Sequence, residues 1–171
     1  MKKLSAGLIV YRQAGNGIEV LIAHMGSPWW AKKDAGAWSI PKGEYQEGDD
    51  PLANARREFK EELGQEPPAG ELLELGTIEQ KNYKTVIAWA IEADLDVSHV
   101  TSNTRAIEWP PRSGKMQEFS EIDRAAYLPL NVAAQKLIPA QVELLERLAR
   151  KLGTGMRRPE EPVKPFQPSL F

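Results

Sequence analysis

The chain has 171 residues, a net charge of −2, and apolar and charged fractions of 42% and 27%, the balance of one folded globular domain rather than a disordered or fibrous chain. It has no cysteine and only two histidines, His24 and His99, which excludes disulfides, thiolate metal sites and a cysteine nucleophile and argues against a histidine-rich centre. The near-neutral charge leaves no footprint for nucleic acid, and no run approaches the ~18 apolar residues a membrane span needs, so a cytoplasmic protein without a membrane partner is expected.

The opening MKKLSAGLIVY sets two lysines before an apolar run, as a signal peptide would, but Arg12 breaks the run and the pattern alternates like a strand. LSAGLIVY (4–11) and IEVLIAH (18–24) flank RQAGNG, whose Gly-Asn-Gly is turn chemistry, and predict a β-hairpin. Residues 25–42 hold Gly26, Pro28, Gly36 and Pro41 among three tryptophans and read as an irregular loop; Trp38 reads as an anchor, Trp29 and Trp30 as anchors or a pocket wall. Asp50 before Pro51 is a helix start and Gly64 a left-handed stop, which predicts a helix over 51–63. LLELGTIEQ (72–80) and KTVIAWAIEADL (84–95) predict strands, and 101–118, with EWPPRSGK, a loop that is not a phosphate-cradling P-loop. Residues 128–152 predict helix in two pieces because Pro139 interrupts them. A domain over 1–152 is followed by a proline-rich tail, 153–171, without periodicity.

The predicted helix carries an unusual charge pattern. At ~100° per residue Leu52, Ala55, Phe59 and Leu63 form the buried stripe, while Glu58, Glu61 and Glu62 share a second face beside it. Like charges at such spacings cost a few tenths of a kcal/mol per pair, and the macrodipole disfavours anions in the C-terminal half. Two explanations stand: a solvated face partly neutralised by Arg56, Arg57 and Lys60, or a set of hard oxygens for a divalent cation.

GEYQEGDDPLANARREFKEELGQ (43–65) resembles the Nudix box: a glycine, five residues, an acid, seven residues, then Arg-Glu-apolar-any-Glu-Glu-any-Gly-apolar. The chain matches at Gly43, Arg57, Glu58, Phe59, Glu61, Glu62 and Gly64, and departs at Asp49, where the family has glutamate, and at Gln65, where an apolar residue is usual. WSIPKG (38–43) looks like the lead-in of many members. The resemblance implies the α/β/α Nudix sandwich, a mixed β-sheet between the box helix and a C-terminal helix. It also implies a pyrophosphohydrolase, dependent on Mg2+ or Mn2+, that cleaves a phosphoanhydride in a nucleoside diphosphate linked to another moiety, such as a dinucleoside polyphosphate or a nucleoside triphosphate. Glu58, Glu61 and Glu62 would then be ligands, the Gly43 carbonyl a further one, and Arg57 would orient Glu58.

The family takes its general base from the box or from outside it; Glu121, and after it Glu118, are the outside candidates here. Diadenosine polyphosphate hydrolases of the superfamily have a tyrosine sixteen to eighteen residues past the box, and Tyr83 stands eighteen past Gln65. In that reading Tyr83 stacks on a purine. ADP-ribose hydrolases tend to have a proline where this chain has Gln80. Lys32, Lys33, Lys42, Arg112 and Lys115 are candidate phosphate contacts. A rival reading, favoured only by Asp49, is a nucleotide-binding regulatory module that keeps the fold without turnover; an RNA-end pyrophosphohydrolase has no basic stripe to support it. The terminal QPSLF resembles peptides that dock on the replication sliding clamp, though Pro168 departs from the usual leucine; Phe166, Leu170 and Phe171 would serve equally to pack on the domain or on the second subunit of a homodimer.

Overall fold

The structure, a computed structural model, describes residues 2–15 and 17–156. Strands β1 (Lys3–Ala14) and β2 (Gly17–Met25) form the expected hairpin, with Tyr11 opposite Val20 and Ala14 opposite Gly17. Next come β3 (Trp38–Ser39), β4 (Lys42–Tyr45), α1 (Pro51–Leu63), β5 (Leu72–Gln80) and β6 (Lys84–Glu92). The chain continues through β7 (Thr104–Glu108), β8 (Met116–Ser120), β9 (Ile122–Pro129), α2 (Leu130–Lys136), a 3-10 turn (Pro139–Gln141) and α3 (Val142–Lys151).

β3, β2, β1, β6 and β5 lie side by side, β4 adds to β1 and β9 to β2; β1 and β6 run parallel and the other pairs antiparallel, so the sheet is mixed. The period-two alternation of β1 builds both layers. Leu8 and Val10 point to one face, where Phe59 and Leu63 of α1 cover them; Ile9 and Tyr11 point to the other, where Leu144, Leu145 and Leu148 of α3 close the core. This is the α/β/α sandwich that the resemblance implied.

Several boundaries differ from the sequence reading. Residues 25–42 are less irregular than expected, because Trp38–Ser39 pairs with β2 and Lys42 opens β4. β6 ends at Glu92 rather than 95. The segment expected as a loop over 101–118 contains the hairpin β7–β8, with Thr104 opposite Ser120; its strands mix charged and apolar residues and Pro110-Pro111 sits between them, so no alternation marked it. On α1, Leu52 is only half-buried, whereas Asn54 and Glu62 are buried, because β4 as well as the main sheet packs against this helix. The proline-rich stretch from residue 157 on lies outside the described residues, and with it QPSLF, Phe166, Leu170 and Phe171.

A polar staple holds the lead-in to β4. Gln141 is 0% exposed; its Oε1 accepts from the Ile40 amide at 2.9 Å, and its Nε2 donates to Ser39 Oγ (3.1 Å) and Gln80 Oε1 (3.2 Å). Gln141→Ala strands the Ile40 donor and opens a cavity, and is expected to cost about 2–4 kcal/mol of unfolding free energy in urea titrations. A loss under about 0.5 kcal/mol would mean that the staple is redundant.

Candidate active site

The helix end that carries the acids is fixed by its caps. Asp50 accepts from the Leu52 amide at 3.0 Å and Pro51 fills the first turn; Gly64, at φ 72°, returns its amide to the Lys60 carbonyl at 2.8 Å. Gly64 also lies against Thr101, where a Cβ would sit 2.6 Å from the Thr101 carbonyl oxygen. The contact tucks residues 101–103 under the helix. The Asn103 amide donates to the Glu61 carbonyl and the Asn103 carbonyl accepts from the Glu121 amide, each at 2.9 Å. The backbone of one residue thus ties the acid-bearing helix to the start of β9.

Across from α1, β4 runs beside β1 with Gly43 opposite Ala6 and Lys42 opposite Gly7. Gly43 lies directly under Glu58: a Cβ there would fall 1.9 Å from the Glu58 carboxyl carbon. The Gly43 carbonyl accepts from Asn54 Nδ2 at 3.1 Å, and the Lys42 amide donates to Glu62 Oε2 at 3.0 Å. Arg57 spans the acids from the open side, donating to Glu61 Oε1 (2.8 Å), Glu58 Oε1 (3.0 Å) and Asn54 Oδ1 (2.5 Å).

The three box glutamates are therefore unequal. Glu62 is 9% exposed, and burial pushes its carboxyl up to about 8 against the pull of Lys42, with Glu58 and Glu121 adding to the rise. Glu58 is also raised, chiefly by burial, opposed by Arg57 and reinforced by Glu61 and Glu121. Burial likewise lowers the Lys42 amine, helped by Lys84 and opposed by Glu62. Glu61 is the more open acid and is paired with Arg57. Glu121, on the opposite wall, carries Arg105 at 3.4 Å.

Glu62, Lys42, Glu121 and Arg105 line one cleft of about 310 Å³. Tyr83 and Arg112 do not. Tyr83 is 82% exposed at the β5–β6 turn, where its carbonyl accepts from the Lys3 amide, and Arg112 is exposed at the tip of β7–β8. Glu118 turns to the outer side of that hairpin, where it accepts from Thr104 Oγ1. Asp49 accepts from the Gln46 amide at 3.0 Å within its own loop. His24 is fully buried between Asp123 and the Lys33 carbonyl, committed to structure. Trp38 is buried, as expected of an anchor. Sequence reasoning missed Asn54, Asn103 and Arg105. Asn54, three residues before Arg57 on α1, carried a helical-spacing signal; Asn103 and Arg105 carried none.

Among the described residues no three histidine, aspartate or glutamate side chains are gathered tightly enough to hold a metal by protein donors alone. The donor set still suits a hard divalent cation. Magnesium binds through one or two carboxylates, keeps waters and takes its remaining oxygens from substrate phosphates. A buried carboxylate facing two more acids has an ionised form that a cation would stabilise.

A family model described as NUDIX domain matches residues 1–148. Among solved structures, an Ap4A hydrolase binary complex from C. elegans has 22% identity and TM-score 0.59, covering 87% of this chain and 98% of that one. The NUDIX domain of Shewanella oneidensis NrtR complexed with ADP ribose has 13% identity and TM-score 0.59, covering 89% of each chain. A MutT protein from Methanosarcina mazei has 19% identity and TM-score 0.56, covering 88% of this chain and 95% of that one. At these identities the structures show a shared fold.

Proposed function

This chain belongs to the Nudix superfamily, and on that premise we propose that it is a magnesium-dependent nucleotide pyrophosphohydrolase acting on a nucleoside diphosphate extended by a further group, such as a nucleoside triphosphate or a dinucleoside polyphosphate. The observation that carries this reading is the buried Glu62 carboxyl, raised to about 8, with Glu58 one turn away on the same helix and Glu121 lining the same cleft. A carboxylate placed so serves no local helix energetics, and its ionised form asks for a cation.

Glu58 and Glu62 would hold magnesium, or manganese in its place, with Glu61 on the open side and the Gly43 carbonyl beneath. When bound, the cation neutralises charge on the diphosphate oxygens and acidifies the attacking water. Arg57 keeps the Glu58 and Glu61 carboxylates turned to one side through its two hydrogen bonds. Lys42 offers the diphosphate a positive charge from the cleft wall. Glu121, anchored through its amide to Asn103, is the base that takes the proton of the attacking water. Arg112 and Tyr83 remain candidates for contacts with parts of a substrate that extend beyond the cleft.

The test is a screen of nucleoside triphosphates, dinucleoside polyphosphates and nucleotide sugars with and without magnesium, repeated on Glu121→Gln. Metal-dependent release of a nucleotide product is expected, with kcat about 10²-fold lower in the variant. Tight nucleotide binding with no turnover on any substrate, in magnesium or manganese, would favour the regulatory module instead.

A further inference from the structure

The cleft beside Glu62 has a mixed lining, charged at Glu62, Glu121, Lys42 and Arg105 and apolar at Trp29, Ile107 and Phe119. The register of β7–β8 explains the apolar part. Arg105 stands opposite Phe119 and Ile107 opposite Gln117, so alternate residues share the face that lines the cleft, while Thr104 and Glu118 turn outward. An isolated two-stranded hairpin is marginal in water, and this one leans on the tryptophan loop: the Trp109 and Trp29 rings meet edge to face, 5.4 Å between centroids at 82°.

Trp29 is nevertheless 49% exposed. A large aromatic ring held in a fixed orientation by a second ring, half open, and lining a cleft that continues to a set of carboxylates and a lysine is a stacking platform that loses little rotamer freedom when a planar group lands on it. In the same wall, the Ser27 hydroxyl is buried without a hydrogen-bond partner. It is a polar atom that the fold itself does not satisfy.

We propose that the apolar lining is the nucleobase subsite, with Trp29 supplying the stacking face and Ile107 and Phe119 the remaining apolar lining, so that the diphosphate of the same nucleotide lies by Glu62 and Glu121. The assignment rests on the hydrolase reading above and narrows its substrate class. At about 310 Å³ the cleft lies at the small end of the ~300–1,000 Å³ range of ligand sites, which suits one nucleoside and its phosphates. The second nucleoside of a dinucleoside polyphosphate would stay outside it. A mononucleotide, either a triphosphate or a diphosphate carrying a small group, needs no second nucleoside site.

Steady-state kinetics of the full chain separate the two claims. ATP and GTP are compared with 5-phosphoribosyl diphosphate, which offers the diphosphate without a base and is followed as a substrate or as a competitive inhibitor. Trp29→Ala is expected to raise KM for ATP and GTP about tenfold, within the range of base–aromatic stacking. Its kcat should stay within twofold, and its KM or Ki for phosphoribosyl diphosphate should not move. Trp29→Phe should recover most of the loss. Where Trp29→Ala fails to fold by circular dichroism, Trp29→Leu keeps the apolar bulk without the ring and is expected to show the same base-dependent rise. An equal loss on both kinds of ligand, an unchanged KM for the nucleotides, or a base-dependent loss carried by Tyr83→Ala instead would overturn the subsite. No metal-dependent hydrolysis by the wild-type chain of any nucleoside triphosphate, dinucleoside polyphosphate, nucleotide sugar or phosphoribosyl diphosphate would overturn the hydrolase reading itself, whereas turnover of dinucleoside polyphosphates alone would overturn the one-nucleoside subsite.

Discussion

Glu62→Gln is expected to lower kcat about 10²–10³-fold in saturating magnesium while making the chelated protein more stable than wild type at pH 8. The two effects have one origin. The buried carboxyl titrates near 8 in the folded chain and near ~4.3 in an unfolded one. Between those values the folded state holds a proton that the unfolded state has released, so the unfolding free energy falls as pH climbs through that window. Glutamine stays neutral and can still accept from the Lys42 amide, so the share of the slope due to Glu62 should vanish, leaving what Glu58 and Lys42 contribute: the two proteins are alike at about pH 4 and diverge by on the order of a few kcal/mol by pH 8. The activity loss follows from removing the anion, since a few kcal/mol of transition-state stabilisation corresponds to the stated factor. Urea titrations with chelator at both pH values, set beside kcat, check both halves. Turnover within twofold of wild type would remove Glu62 from the proposed metal site, and a pH slope in the variant equal to that of wild type would remove the burial argument. Both outcomes together would make Glu62 a residue that harms the fold and serves the reaction, a stability–function trade-off at one position.

Gly43→Ala should cost about 10²-fold in kcat with less than about 1 kcal/mol in stability. The added methyl would fall 1.9 Å from the Glu58 carboxyl carbon and 2.2 and 2.3 Å from its oxygens. What must yield is the far end of a side chain, so the fold is spared while the carboxylate swings off its place over β4, and small displacements of ligating groups carry large kinetic costs. A double-mutant cycle isolates the cause. In a Glu58→Ala background the Gly43→Ala change is expected to be silent; an equal loss in both backgrounds would show that the glycine serves the backbone and not the carboxylate.

The helix and its acids were legible because their signals are local. Asp50, Pro51 and Gly64 punctuate α1 at the residues where it begins and ends, and the glutamates announced themselves as a pattern that helix energetics disfavours. What the helical wheel could not convey is depth. It placed Glu58, Glu61 and Glu62 on one face as equals, but β4 covers one side of that face, so Glu62 is enclosed and Glu61 left to Arg57. The wheel knows angles about an axis; burial depends on which strand lies across from each angle, a long-range fact. The β7–β8 hairpin was hidden for a related reason. Only Ile107 and Phe119 of its inner face are apolar, and they line a cleft shared with Trp29 and Trp30 rather than packing into a sheet. Gln141 reaches Ile40 and Ser39 a hundred residues upstream, a contact invisible to any window.

The backbone of Asn103, whose carbonyl accepts from the Glu121 amide and whose amide donates to the Glu61 carbonyl, makes the gap between the two walls a matter of chain count. Both links are main-chain, so exchanging the side chain at 103 leaves the span intact, whereas lengthening or shortening the 101–103 tether by one residue puts the links out of phase and drags Glu121, the proposed base, away from Glu58 and Glu62. In this enzyme the aim of a carboxylate is set by arithmetic along the backbone, and identity at that position is free to drift while length is not.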